Sequence, residues 1–120
     1  MTQTPRRRAV FLDRDGTLNV HAGYVRDPAQ LDVFGFAGAA VRRLNEAGWL
    51  AIVVTNQGIL ARGQCSDNTM AAIHAKLATA LAADGARLDA IRICPHHPSV
   101  PVAGAEDGRC DCRKPRPGLL

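Results

Sequence analysis

An α/β fold, a parallel sheet with crossover helices, is predicted for this 120-residue chain by three observations. Apolar runs at Ala9 to Leu12 and Trp49 to Thr55 read as buried strands, and Ala90 to Ile93 supplies a third short strand. The stretches between them carry apolar residues three or four apart, the spacing of amphipathic helices. Glycines stand where those helical stretches stop. Strand, helix, strand, helix, strand implies a parallel sheet, because parallel neighbours need a crossover connection between them. The length holds one domain at most, short for a complete doubly wound enzyme, and no internal repeat or low-complexity stretch interrupts it.

The first strand starts at Ala9 and ends at Asp13. A polar, glycine-containing loop from Asn19 to about Leu31 follows, and long loops at strand ends tend to carry function. Ala39, Val41, Leu44 and Ala47, interspersed with Arg42, Arg43 and Glu46, set a helix that Gly48 stops. Leu50, Ile52, Val53 and Val54 dominate the second strand. A second loop then carries Thr55-Asn56-Gln57-Gly58 and Ala61-Arg62-Gly63. Ser66 or Asp67 caps the next helix, whose apolar face is Met70, Ile73, Leu77 and Leu81 and whose end is Gly85. His74 lies just off that face and reads as a surface histidine, and Cys65 as a half-buried loop thiol without chemistry. The third strand ends at Cys94, and Arg113 to Leu120 reads as the start of another helix with Pro117 near its first turn.

The chemistry begins where the first strand stops. Val10-Phe11-Leu12-Asp13-Arg14-Asp15-Gly16-Thr17 delivers two carboxylates, two residues apart, into a glycine turn. In an extended segment positions i and i+2 point the same way, so Asp13 and Asp15 are expected in one pocket. Like charges that close repel, which calls for a divalent cation, a shared proton or both. Asp, Gly and Thr are also ordinary turn residues. The buried strand ahead of them favours catalysis, because open α/β sheets bind ligands at the carboxyl ends of their strands.

A second constellation lies further on. Cys94-Pro95-His96-His97 and Cys110-Asp111-Cys112 place two ligand pairs at short spacing, tighter than the usual C-x-x-C. Three thiolates and one imidazole suit tetrahedral zinc, with Cys94, His96, Cys110 and Cys112 as the candidate ligands and His97 competing with His96. Four protein ligands would close the coordination sphere, so this zinc is structural. It would pin the loop 94–112 and fix Arg113 and Lys114 at the pocket rim.

Bulk properties exclude several partner classes. Lys and Arg number 15 against 11 Asp and Glu, and Arg6, Arg7 and Arg8 form a solvated arm. One Trp, one Tyr and three Phe are few for nucleic-acid binding, so a small anionic ligand is expected instead. There is no apolar run long enough to span a bilayer and no secretory h-region, so a cytoplasmic location without membrane contact is expected.

Asp13-x-Asp15-Gly16-Thr17, Thr55-Asn56-Gln57 and Arg113-Lys114-Pro115 together resemble the haloacid dehalogenase superfamily of phosphatases. With Cys94, His96, Cys110 and Cys112 the resemblance narrows to its zinc-bearing heptose bisphosphate and histidinol phosphatases, and it covers Val10 to Leu120. It implies a Rossmannoid fold and a phosphomonoester substrate. Asp13 would be the nucleophile that forms an aspartyl phosphate, and Asp15 the acid/base. Mg²⁺ would be held by the Asp13 carboxylate and the Asp15 backbone carbonyl, while Thr55 and Lys114 stabilise the phosphoryl group.

The resemblance also implies substrate contacts from His21, Ala22, Gly23, Tyr24, Thr55, Asn56, Gln57, Gly58, Arg113 and Lys114, with Arg113 placed to meet a second phosphate. Gly23-Tyr24-Val25 and Ala61-Arg62-Gly63 favour the heptose enzymes, whose product feeds nucleotide-heptose and lipopolysaccharide synthesis. Histidinol phosphate is the alternative substrate, and an inactive zinc-stabilised module that binds phosphorylated ligands is the alternative function. The sequence departs from the heptose pattern where His21-Ala22 replaces Asp-His and Gly58-Ile59-Leu60 replaces Ser-Gly-Ile. The superfamily's fourth acidic motif, Gly-Asp-x-x-x-Asp, has no counterpart after Lys114. Weak or water-completed Mg²⁺ coordination is therefore expected, as is a first strand with one unpaired edge, completed by a further C-terminal segment or by a partner chain.

Overall fold

The structure, a computed structural model, describes residues 6–105 and 108–120; residues 1–5 and, inside the loop 94–112, Glu106 and Asp107 lie outside the described residues. Three strands, β1 (Ala9–Leu12), β2 (Leu50–Asn56) and β3 (Ala90–Cys94), form a parallel sheet in the order β1-β2-β3. Ala9 pairs with Leu50 and Leu12 with Val53, while Ile52 to Asn56 run alongside Ala90 to Cys94. The central strand β2 therefore carries the hydrogen bonding of both neighbours. Between the strands lie α1 (Ala37–Glu46) and α2 (Asp67–Ala82), as the apolar spacing predicts.

Each helix ends where its sequence directs. Ser66 caps α2, its Oγ accepting from the Thr69 N–H at 3.1 Å, and Asp67 sits in the first turn, where a negative charge suits the helix dipole. Gly48 and Gly85 follow the two helices with φ of +84° and +77°, a left-handed backbone that glycine adopts without steric cost. Helix α1 starts two residues before Ala39, and its buried stripe is Ala37, Gly38 and Val41, with Ala39 on the exposed side.

Consecutive parallel strands laid down in one direction by right-handed crossovers put both helices on one face. There α1 and α2 touch, and Val41, Ala51, Val53, Met70, Ile73, Leu77 and Leu81 form the main core. The alternate residues of β2, Ile52 and Val54, point to the other face, where they meet Cys94, Cys110, Cys112 and Leu119. A loop and a tail, rather than helices, thus cover that side. Coverage is partial, and β1 corrects the expectation of a fully buried strand: Phe11, in register with Ile52, is 48% exposed. Among the described residues β1 pairs with β2 alone, leaving the unpaired edge that the resemblance implied.

Two other expectations are corrected. The tail 113–120 forms turns, not a helix. Pro115 and Pro117 lack N–H donors, the Gly118 N–H donates to the Asp111 carbonyl at 2.8 Å, and the Arg116 guanidinium reaches the Cys110 carbonyl at 2.8 Å, so the segment folds back over the cysteine loop. His74 is not on the surface: it is 7% exposed, beneath the loop that follows β1.

Candidate active site

Asp13, Asp15, Thr55, Asn56, Gln57 and Cys94 lie at or just beyond the carboxyl ends of the strands, the end at which open α/β sheets bind ligands. β1 delivers Asp13, Arg14 and Asp15 into a tight turn in which the N–H groups of Thr17, Leu18 and Asn19 all lie within 3.3 Å of the Arg14 carbonyl. Gly16 has φ +83°, and its N–H donates to Asn19 O at 2.8 Å, closing the turn. β2 delivers Thr55, Asn56 and Gln57, and β3 delivers Cys94.

The two carboxylates have different environments. Asp13 is exposed, and its Oδ1 accepts from the Arg14 N–H at 3.0 Å and from Lys114 Nζ at 2.8 Å. Its Oδ2 has no hydrogen-bond partner among the described residues. Asp15 is enclosed: its Oδ1 takes Arg14 Nε at 2.9 Å and Asn19 Nδ2 at 3.0 Å, and its Oδ2 takes Gln57 Nε2 at 3.0 Å. Burial works to raise the Asp15 pKa, but the Asn19, Arg14 and Gln57 donors outweigh it and hold the carboxyl below its usual range. One carboxylate is therefore open at one oxygen, and the other is held ionised by a cradle of donors.

Lys114 lies 101 residues from Asp13 in sequence, and Asn56 brings it there. The Asn56 side chain accepts from Lys114 N–H at 2.9 Å and donates to Lys114 O at 3.3 Å, a two-point clamp on its backbone. Gln57 is buried, and its amide bridges Asp15 to Thr55 Oγ1 at 2.8 Å. Because that hydroxyl accepts from Gln57, its own proton stays free to donate. The structure thus puts Asn56 and Gln57 to use inside the protein, where the resemblance assigned them to substrate.

The remaining segments line two openings in the surface. The Cβ of His21 lies 3.7 Å from the point where a side chain on Gly16 would begin, while Ala22, Gly23 and Tyr24 border a cleft of about 330 Å³. A larger cavity of about 380 Å³ is edged by His96, His97, Arg113, Lys114 and Arg116, a lining suited to anions. Gly58 closes against the cysteine loop: a Cβ there would come within 2.8 Å of the His97 ring.

The three loop cysteines converge. Cys94, Cys110 and Cys112 place their Sγ atoms within 4.8 Å of one another, and Cys112 lies 2.9 Å from Cys94. His96 is not in that group; its carbonyl instead accepts from Arg113 Nη1 at 3.0 Å. Burial, then the two neighbouring sulfurs, push the Cys112 thiol up to about 12. Three sulfurs this close cannot all ionise unless a cation takes their charge, so the donor set fits a soft divalent metal such as zinc. Cys65 lies apart, near the Arg26 carbonyl at 3.6 Å.

Sequence reasoning passed over Arg14 and misplaced His74. Arg14 is completely buried: its Nη2 lies 2.8 Å from Asp15 Oδ1, and its Nη1 lies 3.2 Å from His74 Nε2 and 3.6 Å from Met70 Sδ. An arginine between two aspartates looks solvent-facing, and only the helix packed behind it reveals otherwise. Asn19 had a weak signal, since Asn in a turn tends to bond neighbouring groups.

Burial, then Arg14, lowers the His74 pKa from 6.5 to about 4, against an opposing pull from Asp15. The unfolded chain takes up a proton near pH 6.5 that the fold refuses until about 4, so this contribution is complete above 6.5 and is lost as pH falls to 4. The expected loss is at most roughly 3 kcal/mol. Urea unfolding at pH 7 and pH 4.5 checks it: His74→Gln should show the shallower decline, and equal slopes would refute the assignment.

Comparison with known proteins supplies the context. No protein-family model matches the sequence. The chain is 41% identical over 119 residues to the D-glycero-beta-D-manno-heptose-1,7-bisphosphate 7-phosphatase of Rhodopseudomonas palustris, covering 97% of this chain and 64% of that protein. It is 41% identical over 114 residues to the Escherichia coli K12 protein of the same name, covering 93% of this chain and 58% of that one. In three dimensions it resembles the D,D-heptose 1,7-bisphosphate phosphatase of B. bronchiseptica, solved with magnesium and phosphate, with a TM-score of 0.81 at 40% identity over 93% of this chain and 59% of that one. The corresponding Burkholderia thailandensis enzyme gives a TM-score of 0.60 at 38% identity over 73% of this chain and 53% of that one. The chain thus spans about 60% of the length of the curated relatives it matches.

Proposed function

Because this chain belongs to the haloacid dehalogenase superfamily of phosphatases, we propose that it is one domain carrying the phosphoryl-transfer centre of a sugar phosphate phosphatase, directed at the 7-phosphate of a heptose 1,7-bisphosphate. The observation that carries this reading is the 2.8 Å contact between Asp13 and Lys114, two residues at opposite ends of the chain. A solvent-facing ion pair of this kind adds little to stability. Its value lies in placing a cation beside a nucleophilic carboxylate.

In this reading the open Asp13 oxygen attacks phosphorus and forms an aspartyl phosphate while the ester oxygen leaves. Asp15 gives that oxygen a proton and then takes one from the water that splits the acyl phosphate. Its carboxyl, held ionised in the free site, gains proton affinity when a phosphate dianion arrives beside it. Thr55 donates its hydroxyl proton to a phosphoryl oxygen, and Lys114 offsets the charge there. The Asp13 carboxylate and the Asp15 carbonyl form an all-oxygen donor set that fits Mg²⁺, which when bound would neutralise carboxylate–phosphate repulsion.

Zinc is assigned to Cys94, Cys110 and Cys112, with His96, which lies outside the sulfur cluster, turning in as fourth ligand, and its role is structural. In this reading His21 to Tyr24 border the substrate, and Arg113 meets its second phosphate. Phosphorylated sugars and reduced thiols coexist in the cytoplasm, where this reading places the reaction, on the route to nucleotide-heptose and lipopolysaccharide.

Phosphate release from heptose 1,7-bisphosphate and from histidinol phosphate, with and without Mg²⁺, tests the assignment. Expected is Mg²⁺-dependent turnover that favours the heptose ester and falls on the order of 100-fold in Lys114→Met. A preference for histidinol phosphate would sink the heptose assignment. Phosphate-ester binding without any turnover would leave a ligand-binding module.

A further inference from the structure

Helix α2 reaches the candidate catalytic turn through one polar side chain, His74. The Arg14 guanidinium, wholly buried, has two sides in different surroundings. Nε and Nη2 face Asp15 Oδ1 at 2.9 and 2.8 Å, and Nη1 faces His74 Nε2 at 3.2 Å and Met70 Sδ at 3.6 Å. A guanidinium can only donate, so His74 Nε2 accepts, and the ring is the neutral form with its proton on Nδ1. Met70 and His74 are four residues apart and so lie on one helical face, with Ile73 and Leu77 beside them in the core. Helix α2 is also tied to the loop after the catalytic turn, since Lys76 Nζ donates to Pro28 O at 2.6 Å and Leu31 O at 3.2 Å.

We propose that His74 is a positioning residue: by holding Arg14 from behind, it fixes the guanidinium that orients the Asp15 carboxylate for proton transfer. The inference rests on the phosphatase reading above. Phosphoryl transfer needs the acid within hydrogen-bond reach of the leaving oxygen, so a guanidinium free to rotate would let that carboxylate drift. A buried guanidinium with one carboxylate partner also needs acceptors for its remaining N–H groups, and His74 supplies one where, among the described residues, no backbone carbonyl does.

The test exploits leaving groups. An alkoxide must be protonated as it departs, whereas p-nitrophenolate leaves as a stable anion and needs no acid. The quantity kcat/KM covers steps through aspartyl-phosphate formation and is blind to its later hydrolysis. His74→Leu, which removes the acceptor, should lower kcat/KM on heptose 1,7-bisphosphate about tenfold or more, yet on p-nitrophenyl phosphate by no more than about threefold. His74→Gln, whose amide oxygen reaches roughly where Nε2 stood, should recover the sugar ester to within about threefold of wild type. His74→Asn, whose oxygen stops short near the Nδ1 position, should not; the Gln/Asn contrast carries the test if the leucine variant fails to fold. Equal losses on both esters, or an Asn variant as active as the Gln variant, would overturn the positioning role while leaving the phosphatase reading intact. A wild-type chain inert on both esters would overturn the phosphatase reading and the inference built upon it.

Discussion

Asp13→Asn abolishes turnover, with an expected loss of about 10⁴-fold or more and no change in fold. The amide matches the carboxylate in shape, so packing is preserved, and Asp13 is exposed, so no buried charge is stranded. What the substitution removes is the anionic oxygen that would attack phosphorus. It also weakens the contact to Lys114 Nζ, because an amide oxygen carries less charge than a carboxylate. A general-acid role alone would cost about 10²–10⁴-fold, so a loss beyond that range marks the nucleophile, and covalent trapping separates the two roles directly. Rapid quenching of wild type with labelled substrate should trap label on protein, and Asp13→Asn should trap none. Residual turnover within tenfold of wild type would remove Asp13 from the nucleophile's role. Circular dichroism checks that the fold is retained.

Loss of the zinc proposed for the cysteine cluster should have the largest effect on stability. Cys94 is fully buried between Val54 and Leu119, and Cys110 and Cys112 approach it from a loop with few apolar residues of its own. Apolar residues in the loop are few, so the proposed coordination would be a main force ordering it. Zinc binding in small domains contributes apparent free energies of about 10–16 kcal/mol, and a loop inside a larger fold should draw on a fraction of that, at least several kcal/mol.

The purified chain is expected to carry one equivalent of zinc. A strong chelator should lower its melting temperature by ten degrees or more, to go by about 4–8 °C per kcal/mol for small domains. Cys94→Ser should behave like the chelated protein, whereas Cys65→Ser, outside the cluster, should keep its metal. Activity should fall with the metal, because Lys114 follows Cys112 by two residues and depends on the loop to meet Asn56. A chain that purifies without metal and melts unchanged under chelation would show the cysteines to be plain buried thiols.

Much of the fold was legible because its signals are local and repeat. The apolar run of β2, the spacing of Met70, Ile73, Leu77 and Leu81, the serine cap and the terminating glycines all act within a few residues. Asp13, Asp15 and the cysteine pairs were legible for the same reason, as short patterns of uncommon chemistry. The tail misled because Pro117 is compatible both with a helix start and with a turn, and the choice fell to the Asp111 and Cys110 carbonyls, which are made available only by the folded loop. His74 misled because a helical position just off the apolar stripe is buried or exposed according to what lies above it. Here a turn carrying a cation lies there.

The sequence by itself determined the parallel α/β architecture, the two carboxylates at the end of β1 and the cysteine-rich loop, since strand, helix and ligand propensities are set by near neighbours in the chain. Tertiary structure alone decided which groups serve those carboxylates. Lys114 meets Asp13 across 101 residues, Gln57 meets Asp15 across 42 and His74 meets Arg14 across 60. Such pairings depend on sheet register and helix packing, which bring distant residues within 3.2 Å only when burial of the shared core offsets the entropy of ordering the chain between them.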